Sequence, residues 1–311
     1  MDLTFSVFLK SQVPEFSIGP EAFALLRETY SSAAIRYLDT YGEFVESLAE
    51  TDIGVTWRMG AGDYPSSGRL KSIVTPAAGR DWVHPDPSGR VSTFHGAFHG
   101  KIMGESLLAM ILHFNNGLHF QLRNQWESKW ERALPFRRRL LNGQRVLILG
   151  YGNLGRECAV FLKRLGLEVW GTKRVLPELN GDENVLLFDE GLAKLGGFDH
   201  VVSLLPGDES TRGLIGREHF RAMKRSAVFY SLGRGLAIRE AELVEALREG
   251  EIAGAGLDVF EVEPLAAESS LWSMPNVLLT PHVSACYSDY GRLFVEELIS
   301  CTLPRILKQR W

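Results

Sequence analysis

The stretch "ILGYGNLG", Ile148 to Gly155, follows the apolar run "QRVLILG" and leads into "GRECAVFLKRLG", which carries helical spacing. It is therefore G-x-G-x-x-G between a strand and a helix, the context that gives this pattern meaning. Gly150 permits the tight turn, Gly152 lets a pyrophosphate approach the backbone, and Gly155 lets helix and strand pack closely. Asn153 and Leu154 open the helix, whose free N–H groups and dipole favour phosphate. Taken alone, the motif also describes a sharp turn with no ligand. The strand series around it favours dinucleotide binding.

That series runs through "EVWGTK", "HVVSLL", "AVFYSLG", "IAGAGLDVF" and "NVLLTPH", with helical segments such as "REAELVEALREG" between them. Strands alternating with helices predict a parallel, doubly wound sheet with right-handed crossovers. Upstream, "FSVFL", "IGVTW" and "LKSIVTP" read as three strands, and "GPEAFALLRETY" and "YGEFVESLAE" as helices. Together they predict a second, smaller α/β layer. Between the two series, Gly100 to about Trp130 is helical and apolar on more than one face, which predicts a helix that is buried or packed against a partner. After His282, "YGRLFVEELISCTLPRIL" is one more amphipathic segment, able to return to the first layer.

Composition bounds the function. The chain has 311 residues, is 45% hydrophobic and carries a net charge of −4, so it offers no general pull on nucleic acid. The basic run Arg137 to Arg139 reads as a solvated patch. Cys158, Cys286 and Cys301 form no C-x-x-C pair and no metal-ligand spacing, which predicts plain thiols, no metal site and a reducing compartment. The start lacks the pattern of a secretory signal, and no apolar run reaches membrane-spanning length. A cytoplasmic protein with no membrane or nucleic-acid partner is expected.

A glycine turn of this kind usually leads, about 20 residues on, to an acid that binds the ribose of NAD. Here that place reads Thr172-Lys173-Arg174. A carboxylate would repel the extra phosphate of NADP. Two cations can pair with it, and the threonine can donate a hydroxyl hydrogen bond. The alternative is that both cations project into solvent from a loop. NADP is the expected cofactor, with NAD possible.

Open α/β sheets bind ligands beyond the carboxyl ends of their strands. Arg234 follows "AVFYSLG", Glu263 lies beyond "GAGLDVF", and His282 follows "NVLLTP". Singly, they read as a helix-entry charge, a turn residue before Pro264 and a loop histidine. Jointly, they suit hydride transfer to a 2-keto acid. Arg234 can grip the carboxylate with two prongs. His282 can give a proton to the carbonyl oxygen, and Glu263 can hold the imidazole and favour its charged form. Asp258, at its strand end, is placed to contact the nicotinamide side.

"ILGYGNLG", "SLLPGDESTRGLIG", "YSLGRGLAIREAELVEAL", "GAGLDVFEVEPL" and "LLTPHVSA", in this order, resemble the D-2-hydroxyacid dehydrogenase family, most of all its glyoxylate/hydroxypyruvate reductase branch. The resemblance covers about Gly96 to Ala285. It implies that Arg234 binds the substrate carboxylate, that His282 is the acid/base and that Glu263 pairs with it. Leu205 and Pro206 join the cofactor-binding set, and the turn "PAAGRD" supplies backbone N–H groups at Ala78 and Gly79 to the substrate. The implied fold is a Rossmann-type dinucleotide-binding domain, residues 95–285, and a flavodoxin-like substrate domain, residues 1–94 plus 286–311, in a homodimer whose cleft closes. A small 2-keto or 2-hydroxy acid is the implied partner. "GAFHGKIMGE" departs from the family's more apolar run, and Trp57-Arg58-Met59 is placed to shape a pocket. A D-3-phosphoglycerate dehydrogenase-like enzyme and a non-catalytic dinucleotide-sensing protein are the competing readings. The dehydrogenase reading also has the apolar segment "ESLLAMILHFNNGLHFQL" as a dimer face.

Overall fold

The computed structural model describes residues 3–133, 135–136, 138–175 and 184–308. The chain divides into two compact units, Met1–His99 with Cys286–Trp311, and Gly100–Ala285.

In the first unit, strands β1 (Thr4–Phe8), β2 (Ala34–Tyr37), β3 (Ile53–Thr56), β4 (Ser72–Thr75) and β5 (Ser92–His95) form one sheet. All neighbours pair in parallel, in the order β2-β1-β3-β4-β5. This is the flavodoxin order, as expected. Strands β3 and β4 are buried along their whole length, as parallel strands covered on both faces must be. Helices α1 (Ala24–Thr29) and α2 (Tyr41–Ser47) lie between strands in the chain. A capping box starts α2: Glu43 N–H donates to Thr40 Oγ1 at 3.2 Å, and Thr40 N–H donates to Glu43 Oε2 at 3.0 Å. Strands β2 and β5 exceed the three read from sequence. The reason for β2 is visible in "AIRY", an edge strand that alternates exposed and half-buried residues and so lacks an apolar run.

The second unit begins with a helical stretch that is broken where one continuous pattern was expected. Helix α3 (His99–Asn115) stops and α4 (Leu118–Trp126) starts across Gly117, whose φ of 66° is left-handed and ends a helix. Then come β6 (Arg145–Leu149), α5 (Asn153–Arg164), β7 (Glu168–Lys173), β8 (Val185–Leu187), α6 (Phe188–Ala193) and β9 (His200–Ser203). The unit ends with α7 (Arg217–Ala222), β10 (Val228–Ser231), α8 (Glu240–Arg248), β11 (Gly254–Leu257) and β12 (Val277–Leu279). The sheet order is β12-β11-β10-β9-β6-β7-β8, all parallel. The order in which strands are added reverses between β6 and β9, the switch point of a Rossmann-type fold.

Alternate residues of β6 feed the two sides of this sheet, as the pleat requires. Leu147 and Leu149 join a core with Val201, Phe229, Leu243 and Leu247. Val146 and Ile148 join another with Leu107, Ile111, Leu162 and Tyr230. The apolar residues of α3 thus pack inside their own unit. The exposed apolar surface lies further on, at Leu118, Leu122, Trp126, Trp130 and Leu140.

After Ala285 the chain rejoins the first unit through α9 (Tyr290–Glu297), a π-helical turn at Leu298–Thr302, and α10 (Leu303–Lys308). Tyr290, Phe294, Val295 and Leu298 form its buried stripe at helical spacing. The Glu297 carboxylate accepts the N–H groups of Ala97 at 2.9 Å and Phe98 at 3.3 Å, tying α9 to the residues after β5. No helix among the described residues is long and apolar enough to cross a membrane.

Candidate active site

Four strand-end loops of the second unit are brought close, in two pairs, by glycines. Gly150 has φ 99°, and a Cβ there would lie 2.7 Å from the carbonyl oxygen of Leu204, so only glycine lets the β6 loop meet the β9 loop at the switch point. At Gly235, a Cβ would come within 2.0 Å of the Phe260 backbone, so the β10 loop lies directly against the β11 loop. Gly152 has open space in front of it and is exposed. No side chain caps α5, which has no acid in its first turn. Bare N–H groups beside an open glycine are what a pyrophosphate needs, so these residues fit a dinucleotide. Asn153 is exposed, and its Oδ1 accepts from Arg156 at 2.9 Å, while Leu154 is half-buried. Leu205 is buried at the end of β9, and Pro206 after it is exposed.

The cation pair follows β7. Lys173 is half-buried and Arg174 exposed, and Arg174 Nη1 donates to Ser210 Oγ at 3.1 Å. Ser210 in turn donates to Asp208, which holds that carboxyl below its usual range, with Arg174 contributing. Arg174 is thereby held toward the β9 loop, on the far side of β6 from its own strand. Sequence reasoning missed Ser210; its spacing from the glycine motif carries no signal. Thr172 does not fit its expected role in this conformation. It is 1% exposed and its hydroxyl is enclosed without a partner among the described residues, so that oxygen is not presented to a ligand.

At the other strand ends, His282 Nδ1 and Glu263 Oε2 are 2.8 Å apart. Glu263 Oε1 accepts the N–H of Phe260 at 3.1 Å, so the carboxylate is fixed by its own loop. His282 has φ 54°, a left-handed backbone that a non-glycine residue adopts only when its surroundings impose it. Asp258 imposes it. Its carbonyl accepts His282 N–H at 2.8 Å, and its carboxylate accepts Thr280 Oγ1 at 2.6 Å, Val283 N–H at 2.9 Å and Ser284 N–H at 3.0 Å. Asp258 is 0% exposed. Its carboxylate therefore serves the histidine loop, a role that the sequence did not show. Ser106 of α3 adds a bond to Ser284 O at 2.8 Å.

Arg234 begins the short helix Gly235–Ala237, half-buried, with Nη1 donating to Gly233 O at 3.0 Å. A Cβ on Gly207 would lie 2.8 Å from Arg234 Cγ, so the β9 loop leans on the arginine stem. Ala78 and Gly79 belong to the first unit, on the turn after β4, exposed and half-buried respectively. His95, at the end of β5, contacts the backbone of Gly79 and Ala77; burial lowers its pKa. Among the described residues no three His, Cys, Asp or Glu side chains gather as a metal site.

A phosphate-ready glycine turn, with an arginine and a carboxylate-held histidine on neighbouring strand ends, defines a dinucleotide-dependent oxidoreductase. Residues 108–284, more than half the chain, match the family model described as D-isomer specific 2-hydroxyacid dehydrogenase, NAD binding domain. The chain belongs to this family. It is 31% identical over 229 residues to glyoxylate/hydroxypyruvate reductase A of Escherichia fergusonii, a match covering 70% of this chain and 71% of that protein. Among solved structures, a D-isomer specific 2-hydroxyacid dehydrogenase from Xanthobacter autotrophicus Py2, in complex with NADPH and MES, superposes with a TM-score of 0.79 at 29% identity. That match covers 98% of this chain and 95% of the other. The NADPH-dependent glyoxylate/hydroxypyruvate reductase of Sinorhizobium meliloti, in complex with NADP and sulfate, gives 0.75 at 29% identity over 98% and 96%.

Proposed function

We propose that this chain reduces a small 2-keto acid of the glyoxylate/hydroxypyruvate kind to the D-2-hydroxy acid, using NADPH. The observation that carries the reading is the 2.8 Å pair of His282 and Glu263 on a loop clamped by Asp258. Bound NADPH supplies the hydride. Gly150, Gly152, Asn153, Leu154 and Gly155 receive the pyrophosphate, with Leu205 and Pro206 on the opposite lip, and Lys173 and Arg174 take the ribose phosphate. Arg234 holds the substrate carboxylate and so orients the carbonyl carbon. His282 gives its Nε2 proton to the carbonyl oxygen as the hydride arrives, while Glu263 on Nδ1 fixes the ring and balances the charge. Ala78 and Gly79, on the first unit's strand-end turn, are the proposed backbone contacts to substrate.

An assay of glyoxylate, hydroxypyruvate, pyruvate, phenylpyruvate and 3-phosphohydroxypyruvate with both reduced cofactors tests this. Turnover of the first two with NADPH supports it; turnover of the phosphorylated acid alone assigns a phosphoglycerate dehydrogenase, and cofactor binding without turnover a sensor. The reading includes a cytoplasmic homodimer. Trp126 at 80% and Trp130 at 89% exposure are the side chains that a second copy would cover. A monomer mass by light scattering at micromolar concentration would count against the dimer.

A further inference from the structure

The loop from Val259 to Pro264 carries Glu263, so its place decides where that carboxylate meets His282. The bond from Phe260 N–H to Glu263 Oε1 lies inside the loop. It sets the loop's shape and leaves its place to contacts from outside. One of these is apolar: Phe260 is buried in the core that also holds Leu243, Leu247 and Leu257. The other is polar. Glu240, the first residue of α8, accepts the N–H of Glu261 on Oε2 at 3.2 Å.

Glu240 stands on a firm base. Leu243, Ala246 and Leu247 bury the inner face of α8. The chain just before it is pinned to the segment after α8's neighbour loop: Gly213 N–H donates to Leu236 O at 2.9 Å, Ile215 N–H to Ala237 O at 3.0 Å, and Arg239 N–H to Ile215 O at 2.9 Å. At Gly235 the same stretch lies against the Phe260 backbone, where a Cβ would come within 2.0 Å. All of these residues belong to the second unit. Glu240 is half-buried, and burial above all raises its pKa, so a neutral acceptor suits the place as well as a charged one.

We infer that Glu240 is a positioning residue for the reaction: through Glu261 N–H it holds the loop where Glu263 meets His282 Nδ1. The inference rests on the reading of Glu263 as the partner of His282. Phe260 anchors the loop at one point, about which the exposed residues Glu261 to Glu263 are free to turn. A hydrogen bond at the next residue removes that freedom. The supporting shell of a catalytic group matters because small misplacements are costly in rate. Glu240 touches neither substrate nor cofactor in this scheme; it acts through Glu263.

Three replacements test this in the whole protein, by steady-state reduction of hydroxypyruvate with NADPH. Glu240→Ala removes the acceptor, Glu240→Asp draws it back by one methylene, and Glu240→Gln keeps an acceptor oxygen at the same reach. The first two should lower kcat at least about fivefold with KM for NADPH unchanged, and the glutamine variant should stay within about twofold of wild type. In a Glu263→Ala background, Glu240→Ala should change kcat by less than about twofold, because the group that it positions is gone. Wild-type kcat in Glu240→Ala, or in Glu240→Asp where the alanine variant does not fold, overturns the inference. An equal loss with and without Glu263 also overturns it, since that marks a purely structural role. Wild-type kcat in Glu263→Gln would instead remove the pairing beneath it, whereas a loss there beside inert Glu240 variants refutes this inference alone.

Discussion

His282 Nδ1 stands 2.8 Å from Glu263 Oε2, and the second oxygen of that carboxylate accepts the N–H of Phe260. The pair is thus oriented from behind, leaving Nε2 as the nitrogen for proton transfer. His282→Ala should lower kcat by roughly 10²–10⁴-fold, the usual size of a general acid's contribution. Glu263→Gln keeps the shape and removes the charge, so it should fall between that variant and wild type. Steady-state kinetics with unchanged KM for NADPH checks both. Equal kcat in wild type and Glu263→Gln would sink the pairing.

The β9 loop leans on the Arg234 stem at Gly207, and Arg234 Nη1 donates to Gly233 O. Arg234→Lys should lower kcat/KM for the keto acid by at least about tenfold, because a point charge cannot reproduce a two-pronged grip. Cofactor affinity should hardly move. An unchanged kcat/KM removes Arg234 from the site.

Asp258 acts through the loop that it clamps. Asp258→Asn places an N–H₂ against a group that donates, and should cost about 1–3 kcal/mol of stability. It should also lower kcat, since the left-handed backbone at His282 is no longer imposed. Urea denaturation and kcat, measured on the same preparation, check this. Loss of stability with full kcat would show that the histidine loop does not depend on Asp258.

His200 is 4% exposed, and burial pushes its pKa down to about 4. The unfolded chain binds a proton near 6.5, so between these values the unfolded state holds more protons than the folded one. Stability is therefore full above pH 6.5 and is lost as pH falls toward 4, by roughly 3 kcal/mol in all. Urea midpoints at pH 7 and pH 5 should differ in wild type and converge in His200→Leu, after allowing for that variant's lower baseline. An identical difference in both proteins contradicts the assignment.

The glycine turn, Arg234, Glu263 and His282 were legible because each has a fixed place relative to an apolar strand. Strand β8, Val185–Leu187, was not, since three residues at a sheet edge make no pattern. Asp258 was found at its strand end, but the loop that it clamps was not. A carboxylate at a strand end looks the same in sequence whether it faces a ligand or the next loop. Thr172 shows the converse limit: the strand position was right, but the pleat turned its side chain inward while Arg174, two residues on, lies past the strand and reaches Ser210.

Lys173 and Arg174 are proposed to make this an NADPH-dependent 2-keto acid reductase, and kcat/KM for hydroxypyruvate with NADPH against NADH checks that role. At least about a tenfold preference for NADPH is expected, the size of one charge-assisted phosphate contact, abolished in the double replacement Lys173→Ala, Arg174→Ala, with NADH turnover nearly unchanged. Wild-type kcat/KM with NADH equal to that with NADPH, or a preference that survives the double replacement, would contradict it.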